Sequence, residues 1–285
     1  MLHHTGFVLS FLAALACAGQ APDRSSEGLK IIFEDRFPGA PGSAPNAEAW
    51  TMIDGGRVTN NEHQRYEANN KNMQISGGGT LQIVPNKDAT GKWTSGRIET
   101  KGSWVAPVGG MLHIEGGIRF GWNPRTSKRG IWPAFWTMGD AIHHGTPWPQ
   151  CGELDIMEQL NGDPVAYATV HCGVVPGGPC NEMTGIQATA PLVDDGFHTW
   201  AIRIDRRNSD WRQQIITWTK DGQVFHTVTG ARINDQAVWS TLAHSPLFIL
   251  MNVAVGGNWP GPPDDSTMGG YGSMMEVEYV AVYST

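Results

Sequence analysis

The chain has 285 residues, a net charge of −7 and only 16% charged residues, with 36 glycines and 12 tryptophans. This mild acidity leaves no basic footprint for nucleic acid or an anionic membrane surface. Long Ala, Leu, Glu and Lys runs at helical spacing are missing, which excludes a helical bundle and points to an all-β protein.

In chain order, the apolar run from Phe7 to Ala18 ends in Ala16-Cys17-Ala18, the small-x-small pattern read by signal peptidase. Residues 1–18 are therefore expected to be a signal peptide, and the protein to be secreted and extracellular. The run is too short to span a bilayer. Residues 19–28 are polar and mixed and read as a mobile leader, and residues 29–285 as a single domain. Leu29 to Phe37 reads as an entering strand, followed by a Pro/Gly/Ala surface loop over residues 38–50.

Short strand-like runs then alternate with turn clusters, at 73–75, 80–85, 96–101, 111–120, 131–138 and 153–159. Further runs follow at 167–172, 197–205, 214–220, 223–228, 248–255 and 275–283. Lys220-Asp221-Gly222-Gln223 supplies an Asp-Gly hairpin turn between two of them. Asp235 to Ala243 is the one helical candidate. Many short strands joined by Gly, Asn, Asp and Pro turns predict a sandwich of two antiparallel sheets.

Three cysteines remain beyond the leader. Cys172 and Cys180 bracket a turn-rich stretch that brings them within reach of a disulfide in an oxidising compartment. Cys151 is the odd one and reads as a buried, inert thiol. No cysteine or histidine spacing resembles a zinc site.

The chemistry concentrates in Gly152-Glu153-Leu154-Asp155-Ile156-Met157-Glu158. On a regular strand Glu153 and Asp155 share a face and Glu158 takes the other. One extra residue near Ile156-Met157, a β-bulge, restores the parity and sends Leu154 to the core. Three carboxyls on one face repel one another, so at least one keeps its proton near neutral pH. A retaining glycosidase needs one ionised and one protonated carboxyl about 5 to 5.5 Å apart. Glu153 suits the nucleophile, Glu158 the acid/base and Asp155 a bridging hydrogen bond. Three acids on a plain solvated strand are the bland alternative. Trp132, Trp136 and Trp148 nearby, with His171 expected on the next strand, argue for a sugar-binding face.

These residues resemble glycoside hydrolase family 16, in its laminarinase-like branch. The resemblance runs in order through NNEHQRY (60–66), TSGRIETKG (94–102), GIWPAFWTMGD (130–140), GELDIME, TVHCG (169–173), FHTWAIRID (197–205), ILMNVAVGGNWPG (249–261) and MEVEYVAVYS (275–284). It implies a β-jelly-roll of two curved sheets with an open cleft on the concave face, retention of configuration and no cofactor. It also implies Asn61, Arg97, Trp132, Trp148 and His171 as cleft residues. For Arg97 the competing reading is an ion pair with Glu99, and for His171 a satisfied histidine between strands. Relatives often bind a structural calcium through an acid in the first strand and one in the last. Here Arg36 stands where the first acid would, so an Arg36–Glu278 ion pair is expected in place of any metal. The stretch from Gly139 to Gln150 is long and is expected to reshape one end of the cleft.

The protein is expected to be a monomer acting on a polysaccharide, with neither nucleic acid nor membrane as partner. Endo-cleavage of β-1,3-glucan or β-1,3(4)-glucan leads among the readings. Endo-β-1,3-galactanase activity on arabinogalactan is the alternative, ahead of a transglycosylase or a non-catalytic sugar-binding module. The acid trio argues against the last of these, and the bulged spacing favours hydrolysis over transglycosylation.

Overall fold

The computed structural model describes residues 19–55 and 59–285. The expected signal peptide lies outside the described residues. The early strands are β1 (Lys30–Asp35), β2 (Trp50–Met52), β3 (Gln64–Tyr66), β4 (Met73–Ile75), β5 (Leu81–Ile83), β6 (Asn86–Lys87), β7 (Trp93–Ser95) and β8 (Arg97–Thr100). The longer ones are β9 (Met111–Phe120), β10 (Ile131–Gly139), β11 (Glu153–Gln159), β12 (Val165–His171), β13 (Ile186–Pro191) and β14 (His198–Asp205). They are followed by β15 (Ile215–Lys220), β16 (Gln223–Thr229), β17 (Leu247–Val255) and β18 (Met275–Ser284), with helices α1 (Gly230–Ile233) and α2 (Gln236–Ala243) before β17.

The strands form two large antiparallel sheets. One runs β16-β15-β14-β9-β18-β5-β4 with β1 also paired to β18, and the other runs β13-β12-β11-β10-β17-β8-β2. A small sheet, β3-β7-β6, caps one corner. This is the two-sheet sandwich that the spacing of strands predicts, in the jelly-roll form that the family resemblance implies. Its core lies between the sheets, where Ile114, Ile118, Trp200, Ile202 and Trp218 from one face Phe135, Leu154, Ile156, Met157, Ile249, Met251 and Val253 from the other. The alternation of these apolar residues with polar ones along each strand leaves the outer faces free for function.

The longer expected strands fall within a residue or two of the observed ones, and Asp235 caps α2 by accepting from the backbone N–H groups of Ala237 and Val238. Three differences stand out. The loop after β1 does not continue to residue 50. Trp50 opens β2, buried, with its indole Nε1 donating to Asp35 Oδ2 at 2.7 Å. Strand β13 passes unnoticed in sequence because Ile-Gln-Ala-Thr-Ala-Pro carries only small and polar alternation at a sheet edge.

The third difference concerns residues 19–28, expected as a mobile leader and found packed on the outer face of the eight-stranded sheet. Ala21 and Leu29 are buried with Met111, Tyr279, Ala281 and Tyr283. Arg24 pairs with Glu115, which is wholly buried and also accepts from the Tyr283 hydroxyl at 2.8 Å. A buried carboxylate needs such partners, and a nominally polar segment supplies them. The expected Arg36–Glu278 ion pair is not formed. Arg36 Nε instead donates to Glu34 Oε1 at 3.0 Å, two residues back on the same face of the chain. Glu278 lies between Gly19 and Gly117, where a Cβ at either position would collide with its carboxyl group.

The Arg24–Glu115 pair makes a stability prediction. Burial pushes the Glu115 carboxyl up, but hydrogen bonds from His113 and Arg24 outweigh it and hold the group below the usual glutamate range. A lowered folded-state pKa contributes stability above the unfolded value and loses it as pH falls through the folded one. Arg24→Ala is expected to cost about 1–3 kcal/mol in urea unfolding at pH 7, as a buried charged acceptor loses a donor. The deficit should shrink as pH falls from the unfolded glutamate value of about 4.3 through the lower folded-state one, below which the carboxyl is protonated in both states. A pH-independent deficit would place the cost in packing and not in the ion pair.

Candidate active site

The site is built on β11. Against β12, Glu153 pairs with His171, Asp155 with Thr169 and Glu158 with Tyr167, so three residues on one strand span two on the other and the register slips between Asp155 and Glu158. The same slip appears against β10, where Asp155 pairs with Trp136 and Met157 with Phe135. This is the bulge that the spacing of the acids requires. Leu154, Ile156 and Met157 all enter the core, and Ile156 and Met157 do so in succession. Glu153, Asp155 and Glu158 then share the opposite face. The carbonyl of Asp155 turns inward at the slip and accepts from the indole of Trp218, on the other sheet, at 2.8 Å.

The three carboxyls are sparingly exposed, Asp155 at 4% and Glu158 at 6%. Burial is the leading cause that raises all three pKa values. Glu158 is pushed up to about 7, with the Trp132 indole, donating to Oε1 at 2.9 Å, and His171 opposing the shift. Asp155 is raised well above the aspartate range by burial and by the charges of Glu158 and Glu153. Its Oδ2 has no hydrogen-bond partner among the described residues, so the bridging hydrogen bond expected of Asp155 is not formed through that atom. Glu153 is raised by burial, but His171, Arg97 and the nearby Trp148 favour its ionised form. The mutual repulsion read from the sequence is present, yet it is secondary to burial for each acid.

His171 is the counter-charge. Its Nε2 stands 3.6 Å from Asp155 Oδ2, and its Nδ1 lies 2.8 Å from Glu182 Oε2. Burial opposes its charge, but Glu182, Glu153 and Glu158 together raise its pKa. Glu182 also accepts from the backbone N–H of Cys172 at 2.8 Å. The Cys172–Cys180 disulfide, with Cα atoms 5.3 Å apart, closes the loop that brings Glu182 there. Cys151 is buried and free, as its odd count predicts. Donor atoms of Glu153, Asp155 and His171 lie within 4.8 Å of one another, a spacing that would suit a cation.

The remaining expected residues divide between the two ends of the trio. At the Glu158 end, Trp132 makes an edge contact with Trp259 (centroids 5.8 Å apart), and Tyr167 meets the same ring at 4.9 Å. Asn61 lies on the rim here, its Nδ2 donating to Asn258 Oδ1 at 2.7 Å. At the Glu153 end, the Trp148 ring lies 5.6 Å from His171. Arg97 satisfies both of its readings. It donates to Glu99 Oε1 at 3.0 and 2.8 Å, and it also stacks 5.0 Å from the Trp136 ring on the site's face. Trp136 itself is half-buried and donates to Asn252 Oδ1 at 2.8 Å.

Residues 140–150 cover one end of this face. Ala141, Ile142 and Trp148 pack with Met138, Cys151, Phe248 and Leu250 into a separate apolar cluster. Sequence reasoning missed Glu182, Asn252, Tyr167 and Trp259. Glu182 alone had a local signal, an acid two residues after a cysteine expected to bond beside His171.

A jelly-roll sandwich that presents three desolvated carboxyl groups from one bulged strand, flanked by aromatic rings, is the machinery of a glycoside hydrolase. Comparison with known proteins gives the same class. The family profile for the XgeA-like catalytic domain of glycoside hydrolase family 16 matches residues 61–190. A glucan endo-1,3-beta-glucosidase of Cryptopygus antarcticus is 32% identical over 78% of this chain and 80% of its own length. A beta-glucanase of Rhodothermus marinus is 28% identical over 99% of this chain and 95% of its own. The crystal structure of an endo-1,3-beta-glucanase from Streptomyces sioyaensis matches with a TM-score of 0.86 and 36% identity, covering 93% of this chain and 99% of that one. The chain belongs to glycoside hydrolase family 16, in its laminarinase-like branch.

The electrostatics predict a pH profile. Glu158 must hold its proton to act as an acid, so activity should fall as pH rises through about 7. Burial and the charges of Glu158 and Glu153 raise the Asp155 pKa well above the aspartate range, so Asp155 is expected to stay neutral as Glu158 titrates. Asp155→Asn should therefore lower the rate while leaving the alkaline limb in place. A limb displaced by a full pH unit in that variant, measured as initial rate on a soluble polymer, would show that Asp155 is ionised during turnover.

Proposed function

We propose that the protein is a secreted, retaining endo-β-1,3-glucanase that works as a monomer on long β-glucan chains. The observation that carries the reading is the trio on the bulged strand, found in a chain whose relatives of high coverage are named as endo-1,3-β-glucanases. In this reading Glu153, whose ionised form His171 and Arg97 favour, is the nucleophile and attacks the anomeric carbon. Glu158 donates its proton to the departing glycosidic oxygen, and an ester links the sugar to Glu153. Glu158, now ionised, takes a proton from water, which attacks the same carbon from the leaving group's side and breaks the ester. Two inversions give net retention. Asp155, held protonated by burial and by the neighbouring glutamates, keeps its proton through both steps and adds no charge between them. Secretion is supported by the small-x-small pattern before Gly19 and by a disulfide that an oxidising compartment maintains.

Glu153→Gln is expected to lower kcat by roughly a thousandfold or more while the fold and sugar binding persist, since it removes the attacking charge and almost no volume. Glu158→Ala should keep some turnover of activated aryl glycosides and be rescued by azide, giving β-glycosyl azides. An α-azide product would overturn retention. Laminarin, lichenan and de-branched arabinogalactan, incubated side by side, test the linkage and the sugar. Fastest depolymerisation of laminarin is the expected result, and cleavage of the galactan alone would transfer the assignment to the galactanase.

A further inference from the structure

A second aromatic surface lies on the opposite side of the sandwich. The catalytic trio occupies the outer face of the seven-stranded sheet. On the eight-stranded sheet, an open groove of about 520 Å³ is lined by Gln74, Gln82, Trp122 and Tyr271, with Pro41 and Gly77 at its edge. Gln74 and Gln82 sit on β4 and β5 between residues that enter the core, so they project from the sheet's solvent side. Trp122 is 69% exposed and Tyr271 is 44% exposed. Most of the tryptophans in this chain are buried or partly buried, which makes a ring left this far in water informative.

The groove is rigid before anything binds. The segment carrying Trp122 is laced to the one carrying Tyr271 at two points, where Gly121 N donates to Met274 O at 2.9 Å and Asn123 N donates to Gly272 O at 2.7 Å. Asn123 Nδ2 adds a bond to Ser273 Oγ at 3.0 Å. The approach is so close that a side chain at Gly121 would strike the backbone of Tyr271 and Gly272. Gln74 Nε2 donates to the Tyr271 hydroxyl and, at 3.1 Å, to Gln82 Oε1. The opposite wall is pinned as well, with Gly42 N donating to Ile75 O at 2.9 Å and Ile75 N to Ser43 O at 2.8 Å. Charge is neutralised at the border, where Glu276 pairs with Arg119 and accepts from Gln82.

We infer that this groove is a non-catalytic binding site for a neutral polysaccharide, the polymer that the catalytic face cuts. Its components are those a sugar chain requires, namely exposed aromatic faces for the apolar side of the rings and fixed amides for the hydroxyls. The absence of an ionised side chain from its lining disfavours an anionic ligand. A second foothold on the face opposite the cleft lets the enzyme stay attached to a polymer between cuts, by raising the local concentration of chain. The inference rests on the reading of the substrate as a neutral glucan.

The test uses Trp122→Ala and Gln74→Ala, each alone and combined with Glu153→Gln so that the polymer survives. Affinity electrophoresis through gels of laminarin, lichenan or de-branched arabinogalactan reads polymer binding. Retardation by whichever polymer the wild-type protein hydrolyses should weaken roughly three- to tenfold in Trp122→Ala, and to a smaller extent in Gln74→Ala. Turnover of a short soluble oligosaccharide should be unchanged, which separates the groove from the cleft. Unaltered retardation of both variants in all three gels would overturn the inference, as would an equal loss of kcat/KM on the short substrate. A wrong linkage assignment shows separately, as hydrolysis of a different polymer by the wild-type protein.

Discussion

Everything at the catalytic face depends on one irregularity of β11, the residue inserted between Asp155 and Glu158. A strand ladder has a strict period of two, and no choice of side chains can place acids at spacings of two and three on one face without breaking it. The break would be costly if it left a buried carbonyl unpaired or pushed a polar group inward. Here the two successive inward residues are Ile156 and Met157, both fully buried, and the inward carbonyl of Asp155 is met by the Trp218 indole from the other sheet. The core therefore stabilises the bulge, and the bulge aims the acids.

Desolvation then does two things at once. It raises the pKa of each carboxyl, which keeps Glu158 protonated near neutrality, and it strengthens the field of every charge nearby. Without a counter-charge the same burial would neutralise Glu153 as well. His171 and Arg97 favour its ionised form, and both are held by acids outside the trio, Glu182 and Glu99. The disulfide belongs to this arrangement because it closes the turn that ends two residues before Glu182.

The sequence was most legible where one local pattern carried the whole message. The acids of GELDIME, with apolar residues between them, imposed a bulge before any strand was seen, and two cysteines around a turn announced their bond. The long strands were visible because their alternation is strong. The short strands β2, β3, β6, β7 and β13 were not, since two to six residues of mixed polarity look like loop until a neighbouring ladder pairs with them. The same holds for residues 19–28, whose polarity suggested a free leader. Arg24 is polar because Glu115, 91 positions away, is buried. Asn252, Tyr167 and Trp259 escaped for that reason too: pairing across sheets and loops gave them a place at the site, and no local spacing records it.

The bulge also determines where the chain can change length. Removing one residue from an ordinary strand reverses the facing of everything beyond it, so strands tolerate deletions far less readily than loops do. In β11 the excess residue at Ile156-Met157 is already out of register with both neighbours. Loss of one of that pair would leave the acids at spacings of two and two, still on one face of a now regular ladder. Deletion of Leu154, between Glu153 and Asp155, would turn a carboxyl into the core. Shortening by one residue is thus open at this single point within the strand, and the geometry of the acid pair can be remodelled there without dismantling the sheet.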